Sequence, residues 1–251
     1  PSHLVQANDG GGTVSYDGGL SWSTTLNQPT AQIYHVTTDN QFPYRVYGAQ
    51  QDNSTISIPT RSDFGLITPS EWLAVGGGEA GYIAVNQDDP NIIVAGEHHM
   101  LERYDMRTRQ NREISPWPES NWGWGDRDMK YRFQWTYPVV RSPHDQNVLY
   151  VTSQFVHKTT DQGQSWPTIS PDLTRHEPSR LEPMPSYGNE QPGQYWGPIT
   201  RDNTGVEWYS TIFAFAESPI KKDVLWAGSD DGYVQVSRDG GKSWTNVTPK
   251  E

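Results

Sequence analysis

The sequence predicts an all-β chain built from repeated four-stranded antiparallel units, and three observations predict it. An eight-residue phrase occurs three times, at residues 15–22, 159–166 and 237–244, with the shared pattern Ser/Thr-x-Asp-x-Gly-x-Ser-Trp. Short apolar runs of strand character precede each phrase and recur elsewhere without it. Polar turns rich in Pro, Gly, Asp and Asn divide those runs at regular intervals, as short strands require.

The phrase reads as a hairpin clasp. The carboxylates of Asp17, Asp161 and Asp239 are placed to accept hydrogen bonds from N–H groups of their own turn. Gly19, Gly163 and Gly241 supply the positive φ of a tight strand-to-strand turn. Trp22, Trp166 and Trp244 open the following strand with a large apolar body.

Taken in order, the first unit has runs at 3–7 and 13–16 before its clasp. The second has runs at 32–36, 44–48 and 54–58, and Pro69, Ser70, Glu71 and Trp72 lead into its last strand. The third has runs at 82–85, 91–96 and 100–104 and, like the second, has lost the clasp. The fourth runs through 137–140, 147–151 and 155–158 to a clasp and a last strand at 166–169. The fifth repeats this at 212–216, 223–228, 233–236 and 244–247. No convincing helix is predicted.

The unit is therefore four strands, A to D, with the clasp as the C–D turn. Such units at a period of 40 residues or more mark a β-propeller. Stacking them buries both faces of sheets that cannot do so alone. The units span about 1–28, 31–75, 81–116, 136–171 and 211–249, with insertions at 117–135 and 172–210. No strand A precedes the first run, so the five units are expected to form an arc completed by flanking sequence or another chain. A closed ring of five is the alternative.

Composition narrows function. A formal net charge of −11 argues against nucleic acid and anionic membrane surfaces as partners. No apolar run is long enough to insert in a membrane. The absence of cysteine excludes disulfides and thiolate metal sites. Hydrophobic residues make up only 33%, and 11 Trp and 13 Tyr partly compensate.

The clasp sequence resembles the Asp-box, or BNR, repeat, whose propellers include sialidases, xyloglucan-cleaving glycanases and sortilin-type receptors. With Asp230, Asp231 and Gly232 before strand C, the framing is most similar to large bacterial multi-propeller proteins often labelled glycosyl hydrolases. The resemblance covers the five units. It implies an exported, extracytoplasmic protein, and it implies that the Asp boxes lie on the rim away from the ligand face and are structural. It does not decide between enzyme and receptor.

In a propeller, D–A connections and B–C turns share the face opposite the clasps. The two insertions are D–A connections far longer than a turn needs, and long loops in compact domains tend to carry function. The first contains Trp122, Trp124, Arg127, Arg132 and Trp135; the second contains Tyr195, Trp196, Arg201 and Trp208. Flat aromatic faces beside directional charges suit a glycan or a peptide. Burying roughly 100 Å² of one Trp face contributes about 2.5 kcal/mol. The competing reading is that these aromatics pack the loops down in place of a missing core. Glu79, Glu97, Asp126, Asp128, Asp202 and Glu207 are candidate carboxylates on this face, and a pair of them would be needed for a glycoside hydrolase, the alternative to a binding protein. The context of Arg127, Arg132 and Arg201 does not match a sialidase arginine triad. His98 and His99 are neighbours, which strand geometry points apart, so no metal is expected, and no other cofactor motif is present.

Overall fold

The computed structural model describes residues 1–8, 11–25, 31–119, 128–181 and 208–250. The chain divides into two compact units, Pro1–Gln32 and Ile33–Glu251. In the first, β1 (Leu4–Asn8) pairs antiparallel with β2 (Gly11–Ser15), and the first clasp follows.

The second unit is a series of antiparallel meanders. Its first sheet is β3 (Ile33–Thr38), β4 (Arg45–Gln50), β5 (Thr55–Pro59) and β6 (Leu73–Ala74). The second is β7 (Ile83–Val85), β8 (Ile92–Glu97), β9 (Met100–Asp105) and β10 (Gln110–Glu113). The third is β11 (Val139–Arg141), β12 (Leu149–Thr152) and β13 (Val156–Thr159), and the fourth is β14 (Ile212–Glu217), β15 (Leu225–Ser229), β16 (Val234–Ser237) and β17 (Thr245–Asn246). The protein is thus all-β, with several four-stranded antiparallel sheets, none of them closed on itself among the described residues.

Two local expectations are corrected and a third is refined: the stretch 69–72 leads into β6, as expected, but through a 3-10 turn, Pro69–Glu71. Pro69 sets the first helical φ, and the Glu71 carboxylate reaches back to accept the Thr68 N–H at 3.1 Å. A single helical turn, Pro178–Leu181, lies in the second long insertion. In the third sheet the expected fourth strand is reduced to one bridge between Thr168 and His157. Pro167 has no N–H to extend the ladder.

Period-two alternation explains how the sheets stack. In β7, Ile83 and Val85 face one core and Ala84 the next; in β8, Ile93 and Ala95 face one and Val94 the other. In β12, Leu149 and Val151 point to the second core and Tyr150 to a third. Each interior sheet is therefore apolar on both faces, and three cores lie in series between four sheets. The first strands run beside one another: β3 contacts β7, and β7 contacts β11. No helix among the described residues is long and apolar enough to cross a membrane.

The three clasps share one geometry. Ser15, Thr159 and Ser237 hydroxyls donate to the Asp Oδ1 two residues on, at 2.8, 2.7 and 2.8 Å. Ser21, Ser165 and Ser243 close each loop with a backbone N–H to Oδ1 at 2.9–3.0 Å and a hydroxyl to Oδ2 at 2.6 Å. The second and third clasps also tie one sheet to the preceding one. Trp166 Nε1 donates to the Ile114 carbonyl at 2.7 Å, and Trp244 Nε1 to the Ile169 carbonyl at 3.1 Å. A Cβ on Gly163 or Gly241 would strike those same isoleucines at 2.6 and 2.7 Å. In the first clasp Trp22 Nε1 instead donates to its own Gly19 carbonyl.

The serine hydroxyls are the main cause that holds Asp17 and Asp239 at a pKa of about 2, and Asp161 lower still. Carboxylates depressed in the folded state contribute stability that is present above their unfolded pKa and lost as pH falls through the folded value. Asp239→Asn should therefore lower the melting temperature at pH 7 and flatten its fall between about pH 4 and 2. Calorimetry across that range checks this. A variant whose curve runs parallel to the unmodified protein's would remove the clasp from the account.

Candidate functional site

The β4–β5, β8–β9, β12–β13 and β15–β16 turns meet the β6–β7, β10–β11 and β13–β14 connections at one end of the sheets. Hydrogen bonds show the meeting directly. Glu79, from the β6–β7 connection, accepts from Gln51 Nε2 at 2.9 Å and Asp52 N at 2.8 Å, both on the β4–β5 turn. Gln154 of the β12–β13 turn accepts from Arg132 N at 2.8 Å and donates to the Lys130 carbonyl at 3.0 Å. Thr211 N donates to Asp230 Oδ1 at 2.9 Å. Within the fourth sheet the Asp239 clasp occupies the other end of β16.

Two polar clusters occupy this end. In the first, Glu79, Glu97 and His98 converge. His98 Nε2 is 3.6 Å from Glu79 Oε1, and Glu97 Oε1 accepts the Glu79 N–H at 3.3 Å. Trp135 stands edge-on to His98 at 5.9 Å and lies 5.5 Å from the Tyr34 ring. Tyr34 donates to Gln51 Oε1.

The second cluster ties both long connections down. Asp172 accepts from Thr174 N at 2.9 Å and lies 3.0 Å from His176 Nδ1 and 3.6 Å from the Arg132 guanidinium. Arg132 Nε and Nη2 donate to the Ser210 carbonyl at 3.2 and 3.0 Å. The Asp231 carboxylate accepts from Arg175 N at 2.8 Å and from Ser210 Oγ at 3.0 Å. His176 and Ser210 adopt positive φ, at 49° and 66°. Such strain in non-glycine residues gathers at functional sites.

Beside this network is an open cleft of about 460 Å³, lined by Arg175, Glu177, Arg180, Tyr209, Asp230, Asp231 and Gly232. The Arg175 guanidinium sits 4.8 Å from the Tyr233 ring centre and makes no ion pair among the described residues. Arg180 lies 5.7 Å over the Tyr209 ring and pairs with Glu177 at 2.9 Å. Guanidinium groups set against aromatic rings can donate to a ligand carboxylate, while carboxylates beside them can accept from ligand hydroxyls.

The sequence-predicted residues fall into three groups. Trp122, Trp124, Asp126, Arg127, Tyr195, Trp196, Arg201, Asp202 and Glu207 lie outside the described residues. Arg132 and Trp208 are 2% and 4% exposed, which places both inside the fold. They are interior because the long connections pack onto the sheet ends, the competing reading for these positions. Trp135 is half-buried against His98, Asp128 is exposed, and Glu79 and Glu97 come together. The clasp residues Asp17, Gly19, Trp22, Asp161, Gly163, Trp166, Asp239, Gly241 and Trp244 are engaged in the clasps described above.

Arg175, Arg180 and Tyr233 were not singled out from the sequence. For the two arginines the available signal was their spacing at 175 and 180, near the start of the second insertion.

No family model matches the chain, and no curated protein matches it in sequence. Among solved structures, an auxiliary nutrient binding protein from Bacteroides thetaiotaomicron is similar over 98% of this chain and 54% of its own length, with 10% identity and a TM-score of 0.46. The chain thus spans about half the length of that structure.

Proposed function

We propose that the chain is a segment of an Asp-box β-propeller in an exported protein, and that it binds a glycan at the end of the sheets opposite the clasps. The propeller reading is supported by four consecutive meanders, the first three with adjacent first strands, by cores in series, and by clasps tying sheet to sheet. The observation that carries the binding reading is the cleft of Arg175, Glu177, Arg180, Tyr209, Asp230 and Asp231. Its Arg175 guanidinium, which makes no ion pair among the described residues, fits a sugar carboxylate, so the preferred ligand is an acidic oligosaccharide.

The hydrolase reading has less support. Glu79 and Glu97 each bring one oxygen within 4.8 Å of the other. Both carboxylates are also occupied by peptide N–H groups of the turns.

The test is calorimetric titration with uronate-containing oligosaccharides, their neutral counterparts and acidic peptides. The acidic sugars are expected to bind, and Arg175→Ala to weaken them about tenfold or more. Equal binding of neutral and acidic sugars would contradict the assignment, and binding of acidic peptides alone would make the segment a peptide receptor.

A further inference from the structure

We propose that Glu79, Glu97 and His98 form a binding site for a divalent transition-metal ion of the Zn²⁺ or Mn²⁺ kind. The sequence argument against a metal here was that neighbouring strand residues diverge. His98 escapes it because its φ of 50° bends the chain out of β8, so that Glu97 and His98 both turn toward Glu79. The imidazole nitrogen and the carboxylate oxygens all lie within 4.8 Å of one another.

The His98 Nε2 to Glu79 Oε1 distance is 3.6 Å. Two ligand atoms at about 2.1 Å from a tetrahedral zinc ion sit about 3.4 Å apart, so small side-chain adjustments close the set around one ion. One imidazole with two carboxylates and no thiolate favours zinc or manganese over soft ions such as Cu(I), and the nitrogen ligand separates them from Ca²⁺ and Mg²⁺.

Charge and local structure support the assignment independently. Two partly buried carboxylates face one another, and among the described residues neither pairs with a lysine or arginine. Like charges held this close in a partly desolvated place are unfavourable unless a cation joins them. The chain also makes room for the arrangement: a Cβ on Gly78 would lie 1.5 Å from Glu97 Oε2, so only glycine admits that carboxylate. Gln51 Nε2 and Asp52 N orient Glu79 from the outside, as the partners of metal ligands do. Beside the cluster, Trp135 Nε1 is buried with no acceptor among the described residues. A water or ligand oxygen on the ion's open positions supplies one. The site does not depend on the glycan reading and stands or falls by itself.

The experiment is metal titration of the chain after dialysis against EDTA. Calorimetry with Zn²⁺ should give one equivalent bound and a melting temperature that rises with free metal. Mn²⁺ bound to the chain should show spin-echo coupling to an imidazole nitrogen. Glu79→Gln and His98→Gln should each weaken Zn²⁺ by about tenfold or more while keeping the metal-free melting temperature. If either variant unfolds, the nitrogen coupling in the unmodified chain decides. Absence of stoichiometric binding, binding unchanged in both folded variants, or Ca²⁺ binding as tight as Zn²⁺ without nitrogen coupling would overturn the site.

Discussion

Gly81→Ala is expected to be severely destabilising, by more than about 4 kcal/mol. A Cβ at position 81 would lie 1.4 Å from the Gly96 carbonyl oxygen and 2.3 Å from its carbon. Both are backbone atoms, so no side-chain rotation relieves the clash. To reach ordinary contact the start of β7 must move away from β8, breaking the Gly96 N–H to Tyr82 carbonyl bond of 3.1 Å. The movement cannot be absorbed on the far side, because Gly96 is itself packed at 3.0 Å from the Tyr137 ring, measured from where its own Cβ would be. Denaturant unfolding, or the loss of soluble protein, reports the effect. A variant within about 1 kcal/mol of the unmodified protein would mean that the close approach of these backbones is not needed.

The second large effect is a loss of stability in mild acid caused by His157. Its ring is fully buried between Ser153 Oγ at 2.9 Å and Thr168 Oγ1 at 3.2 Å, with Tyr131 at 4.6 Å. Burial first, and then the nearby Lys130 charge, push its pKa down to about 3. In the unfolded chain a histidine titrates near about 6.5. Between these values the unfolded state holds a proton that the folded state refuses, so stability rises with pH across that window. Lowering pH from 7.5 to 5 should then cost about 2 kcal/mol through this residue alone. His157→Gln keeps a hydrogen-bonding group at the site and should remove that step, while lowering stability at pH 7.5. The same pH slope in the variant would show that another group is responsible. The clasp aspartates act at lower pH, so the two contributions separate along one titration.

The fold was legible where one strand's pattern carried the information. Ile93, Val94 and Ala95 alternate between two cores, and a run apolar on both faces announces a strand buried on both sides. The clasps were legible as turns, because Asp161 and Asp239 bond within four residues of themselves. Their second role was not, because Trp166 reaches Ile114 and Trp244 reaches Ile169 on a neighbouring sheet, and nothing local to the phrase names that partner. The stretch 69–72 was legible as the entry to a strand, but its 3-10 turn was not, because Glu71 caps that turn backward and apolar patterning ignores such local competition.

The candidate site was less legible for the same physical reason. Arg132 looked like a ligand-facing arginine, yet its partner is the Ser210 carbonyl, brought to it by the packing of two long connections. Gly81 sits in a glycine-rich stretch, and it proves to be a place where two backbones touch. Glu79 and Glu97 were both expected on one face, and His98 was noted as a neighbour of His99. Their convergence depends on the left-handed φ of His98, which a histidine in a hairpin turn does not advertise.

The central claim is that the two ends of these sheets are divided between binding and structure. The most direct test is a crossed pair of measurements on one sheet's two ends, using Arg175→Ala at the cleft and Asp239→Ala at the clasp. Each variant is titrated with an acidic oligosaccharide that binds the unmodified chain, and each is melted without ligand. The account predicts that Arg175→Ala loses affinity at an unchanged melting temperature, and that Asp239→Ala melts lower with affinity unchanged at a temperature where it is folded. Binding lost in Asp239→Ala at an unchanged melting temperature, with full binding kept in Arg175→Ala, would contradict it.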